Sequence, residues 1–110
     1  MSNFSDMVKY IGLSIDEAAA ALDVSKDEIV RWCDTSEAPP LHIWQGLVRM
    51  LDEIRISAEE AAKSADLDQL EASDLNSVSL TVPGQAASEF DGPKRAATAM
   101  AVATLARVFV

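Results

Sequence analysis

Lys26, Asp27 and Arg31 fall within six consecutive residues and carry groups suited to reading nucleic-acid edges. An ammonium or guanidinium donates to phosphate or guanine, and a carboxylate can accept from the cytosine amino group. Such a set acts only when one helix presents it on an exposed side; otherwise each residue is a solvated surface charge. A carboxylate facing phosphates is costly, and an Asp27–Arg31 pair at i,i+4 spacing would compensate it. Gln45 and Arg49 follow on a later segment, where an outward helical face would let them add contacts to the sugar-phosphate backbone.

The elements that must position these groups are marked by paired caps. Ser14 precedes Glu17 by three residues, and Ser25 precedes Glu28 by three. Each is a capping box, in which hydroxyl and carboxylate satisfy free N–H groups at a helix start. The first helix is predicted from Ile15 to about Leu22, and the second from Lys26 to about Cys33. Asp23 and Val24 make the turn. Two short helices this tightly joined are what a helix-turn-helix requires, and its second helix enters the major groove. Ile15, Ala18, Ala19 and Leu22 form the inner face of the first helix. Ile29, Trp32 and Cys33 point inward on the second, leaving Lys26, Asp27, Val30 and Arg31 outside. Glu28 is taken up by its own cap.

Phe4, Met7, Val8 and Ile11 recur at helical spacing, with Ser2 or Asn3 as cap and Gly12 as the left-handed stop. Asp34 to Pro39 is a polar, proline-terminated loop, and Pro40 suits the first turn of the next helix. There Leu41, Trp44, Leu47, Val48, Leu51, Ile54 and Ala58 make a 3.6-residue stripe, favouring one long helix to about Ala65. Ser57 and Glu60 offer an alternative start within it. Leu67 to Asn76 is polar and acidic, a linker. Val78, Leu80 and Val82 alternate with Ser79 and Thr81, a short strand ended by Pro83-Gly84. A lone strand needs a partner, which a second copy would supply. Gln85 to Phe90 reads as a helical turn, and Asp91-Gly92-Pro93 opens a last helix that is apolar nearly all round and calls for burial in a dimer core. The expected fold is mainly α: a helix-turn-helix domain of four to five helices over residues 1–65, then linker, short strand and C-terminal helix for dimerisation over 66–110.

The composition bounds the function. Among 110 residues, hydrophobic types reach 49% and aromatics only 5%, with alanine dominating, which fits closely packed helices. The net charge of −9 repels nucleic acid at long range, so phosphate affinity must come from a local basic face. The acidity is even: five basic and ten acidic residues through Ile56, four and eight after it. No signal peptide or membrane helix is read, and a single Cys33 fits a cytoplasmic setting.

Trp32 and Trp44 read as core, Cys33 as an inert thiol, His42 as solvent-exposed, and Lys94 and Arg95 as a solvated helix end. There is no phosphate-binding glycine loop, and one histidine and one cysteine cannot build a metal cluster. The chain therefore reads as a non-enzyme without cofactor or metal.

Leu13–Leu51 resembles the lambda-repressor/Cro-like (Xre-type) helix-turn-helix. The likeness rests on the Ser14–Glu17 cap, Ala18-Ala19, the Leu22-Asp23-Val24-Ser25 turn, Ile29, Arg31 and Trp32, and Ala38-Pro39-Pro40 before the next helix. It departs at Asp23, where a glycine is usual, at Asp27, Glu28 and Val30, where serine or threonine often precedes the arginine, and at Cys33. The order long helix, strand, terminal helix is distantly similar to anti-CRISPR-associated repressors. This resemblance implies a bacterial or phage transcription regulator, a homodimer binding double-stranded operator DNA at half-sites about one helical turn apart. The alternative is an acidic protein-interaction module, antitoxin-like or a DNA mimic, that keeps the fold without DNA affinity.

Overall fold

The computed structural model describes residues 2–82 and 90–110. Its elements are α1 (Asn3–Ile11), α2 (Ile15–Leu22), α3 (Lys26–Asp34), α4 (Leu41–Lys63) and α5 (Asp91–Ala106), with one 3-10 turn at Ala72–Asp74. The starts and stops obey the local signals. The Ser2 hydroxyl accepts from the Ser5 N–H to begin α1, and Gly12 ends it at φ 91°. Both capping boxes close, at Ser14–Glu17 and Ser25–Glu28. Pro40 stands at the N-cap of α4, which runs unbroken through Ser57. Ser57 is buried in the helix interior rather than capping a new one.

The main core joins Phe4, Val8 and Ile11 of α1 to Ile29 and Trp32 of α3 and to Ile43, Leu47 and Ile54 of α4, with Ala97 of α5 included. A second cluster lies further along, where Ala58, Ala61 and Ala62 of α4 meet Ala101 and Leu105 of α5. Small side chains at these positions let two helices approach closely, and α4 and α5 form the most extensive helix pair. The result is elongated, 49 × 24 × 20 Å.

Three expectations need correction. Among the described residues there is no strand, so the fold is helical throughout rather than helices plus a strand. The alternation over residues 78–82 is nevertheless real: Val78, Leu80 and Val82 are half-buried while Ser79 and Thr81 are exposed. Leu80 and Val82 pack on the alanine cluster of α4 and α5. Helices, not a paired strand, cover Leu80 and Val82, which removes the need for strand pairing with a second copy. The stripe on α4 holds at Leu47, Ile54 and Ala58 but not at Leu41, which is 70% exposed, or Val48, also exposed; Ile43, Ala61 and Ala62 are buried in addition. Ile15, expected inside, is exposed as well. The strand terminator Pro83-Gly84 and most of the turn expected over residues 85–90 lie outside the described residues.

The last helix buries one side only, through Pro93, Ala97, Ala101 and Leu105, and leaves Ala99 and Ala103 exposed. Its first turn is pressed against the end of α1. A Cβ on Gly92 would lie 1.7 Å from the Gly12 carbonyl oxygen and 2.8 Å from its Cα. No real Cβ tolerates that contact, so the two backbones must separate if a side chain is added. Gly92→Ala is expected to lower stability by about 1–3 kcal/mol, the usual range for overpacking. Urea denaturation followed by far-UV circular dichroism checks this; an unchanged midpoint would contradict the close approach.

Candidate nucleic-acid interface

The α2–α3 pair turns on one residue. Asp23 adopts φ 56°, ψ 49° and its N–H donates to the Ala19 carbonyl, while Val24 continues the wrap back to Ala19. It is the one non-glycine residue with positive φ among those described. Aspartate enters this region more readily than most side chains, so the three-residue connection closes without glycine.

α3 is held from its inner side. Trp32 meets Phe4 edge-on at a centroid distance of 5.6 Å, and Phe4 meets Trp44 the same way at 6.0 Å. The Ser2 hydroxyl donates to the Trp32 carbonyl at 2.7 Å and reaches the Cys33 carbonyl at 3.2 Å, tying the start of α1 to the end of α3. The Thr35 hydroxyl donates to the Arg31 carbonyl at 2.6 Å. These contacts satisfy carbonyls that a helix end leaves free. They also fix the rotation of α3, so that Lys26, Asp27 and Arg31 are exposed together and Val30 is half-buried. Glu28 closes its own cap, accepting from the Ser25 N–H and hydroxyl.

The cations on that face are already engaged. Lys26 Nζ lies 3.0 Å from Asp16 Oδ1 on α2. Arg31 Nε pairs with Glu37 in the loop after α3. The expected Asp27–Arg31 pair does not form. Asp27 instead sits with Glu28 in the first turn of α3, where a negative charge favours the helix N-terminus. Leu13 to Pro40 carries seven carboxylates (Asp16, Glu17, Asp23, Asp27, Glu28, Asp34, Glu37) against the two cations. Gln45 and Arg49 are exposed on α4. Among the described residues neither makes an ion pair or side-chain hydrogen bond with the α3 residues.

Sequence reasoning missed Asp16 and Glu37, the residues that set the charge state of this face. They stand ten and six positions from their partners, and no helical spacing links them. Ser2 was legible as a cap for α1 but not as the tether to α3.

Cys33 is half-buried at the back of α3. Burial pushes its thiol pKa up and Asp34 adds to that, while a hydrogen bond with Ser5 and the charge of Lys9 oppose it. Among the described residues no group of three His, Cys, Asp or Glu side chains converges as a metal site requires. No helix among them is long and apolar enough to cross a membrane. Comparison with family models, with curated proteins and with solved structures returns no match. The raised thiol pKa leaves less thiolate at pH 8 than in a free cysteine. Cys33 should therefore react several-fold more slowly with a chromogenic disulfide reagent in the native protein than in urea. Equal rates would contradict its burial.

Proposed function

We propose that this chain is a sequence-specific DNA-binding protein, a small homodimeric transcription regulator that lays α3 in the major groove. The observation supporting this reading is the presentation of α3: a left-handed turn at Asp23 and the aromatic contact behind Trp32 leave Lys26, Asp27 and Arg31 outward on one short, capped helix. Arg31 and Lys26 take phosphate or guanine, Asp27 faces a cytosine amino group, and Gln45 and Arg49 add backbone contacts from α4. The reading makes the chain a binding protein, with no catalytic step and no cofactor.

The ion pairs on α3 are compatible with this. Every partner in them is half or more exposed, and exposed pairs contribute about 0–1 kcal/mol. A phosphate brought to hydrogen-bonding distance competes on favourable terms, because each contact also releases condensed counterions. Asp16 and Glu37 then act as a threshold that only a well-matched site overcomes.

A second reading is favoured by the same pairs seen the other way. An α3 whose cations are neutralised, in an acidic chain, suits a basic protein partner.

The two separate in one titration. Fluorescence anisotropy with a pool of genomic fragments at ~0.1 M salt should select fragments bound well above the non-specific level, with affinity falling as salt rises. Arg31→Ala should abolish that selection. Asp16→Asn together with Glu37→Gln should strengthen binding by about tenfold, since both cations are freed. Uniform, salt-insensitive affinity for every fragment, unchanged by the Asp16 and Glu37 substitutions, would reject DNA binding and leave the basic partner.

A further inference from the structure

The C-terminal end of α4, where it packs against the end of α5, carries an apolar groove with exposed apolar side chains. There Ala62, Leu67, Leu105 and Val108, together with Glu59 and Lys63, line an open groove of about 340 Å³, room for an aromatic side chain. Leu67 is 52% exposed, Val108 across the groove 64%, and the next residue, Phe109, 44%. The tip is ordered by backbone bonds, Arg107 N–H to Ala103, Val108 N–H to Leu105 and Phe109 N–H to Ala106. Exposed side chains of this size, clustered with a groove, mark an interaction surface rather than scattered surface apolarity.

Charge selects the occupant. The groove is lined by one carboxylate (Glu59) and one cation (Lys63), in balance within a chain of net charge −9. Two acidic copies repel one another over the α2–α3 region and meet most readily here. Among the described residues the side chains of Glu59 and Arg107 make no ion pair. One lines the groove, and the other directly precedes the exposed Val108-Phe109 turn.

We propose that this groove is the contact between two copies of the chain. Each copy seats its Val108-Phe109 turn in the groove of the other, and each Glu59 faces the partner's Arg107. Groove and insert lie on the same surface, so a two-fold axis satisfies both at once and forms the ion pair twice. The strand once expected to join the copies is not needed. The proposal rests on the homodimer part of the functional reading above, and its test contains no DNA.

Sedimentation equilibrium of the full chain over a concentration series should show a monomer–dimer equilibrium. Leu67→Asp and Phe109→Asp, both at exposed positions, should give monomers with unchanged far-UV circular dichroism. Glu59→Arg and Arg107→Glu should each weaken dimerisation by about tenfold, and the double reversal should restore it to within about threefold of the parent. A parent chain that stays monomeric would overturn both this interface and the homodimer reading. A dimer indifferent to these variants, or a double reversal without recovery, would overturn the interface alone. DNA binding by α3 is decided separately by the anisotropy titration.

Discussion

Phe4 lies edge-on to both Trp32 and Trp44, and the rest of the structure depends on that three-ring contact. Each such pair contributes about 0.5–1.5 kcal/mol beyond the area it buries. Its larger effect is geometric. α3 is only nine residues long, too short to persist alone, so it exists because Ile29 and Trp32 dock on α1. Docking through positions three apart leaves one orientation for the helix. The outward side is then set, and with it the group of Lys26, Asp27 and Arg31. Ser2 reinforces the arrangement by capping α1 and accepting the role of tether to α3 in one side chain.

The second constraint is charge. In a chain of net charge −9, four of the nine cations, both of those on α3 among them, are held in ion pairs among the described residues. Lys26 and Arg31 are held by Asp16 and Glu37, and Arg55 and Lys63 by Asp52 and Glu60 on their own helix. These exposed pairs add little to stability. Their consequence is for recognition, since a ligand must displace a carboxylate to reach either cation of α3.

The C-terminal part follows from side-chain size. Alanines on α4 and α5 let the helices approach closely, and the glycine contact between Gly12 and Gly92 allows α5 to start directly against the end of α1. The tip of this helix pair lacks the cover that α1 and α3 give the other end. Its exposed Leu67, Val108 and Phe109 are the apolar residues left there.

Much of the local architecture was legible in the sequence because its causes are local. Serine three residues ahead of glutamate, a glycine after Ile11 and a proline before Leu41 each act within a turn, and the helices begin and end where those signals lie. The alternation of Val78, Leu80 and Val82 was legible as half-burial, but sequence could not say what buries it; helices cover Leu80 and Val82, where a strand paired with a second copy was expected. The stripe on α4 misled at Leu41 and Val48 because periodicity gives a face without fixing which neighbour meets it. The candidate interface divides the same way. That Lys26, Asp27 and Arg31 share the outside of α3 was determined by the sequence, through caps and helical period. That their charges meet Asp16 and Glu37 was decided only by the tertiary structure, because ion pairs across a turn and a loop depend on where separate elements come to rest.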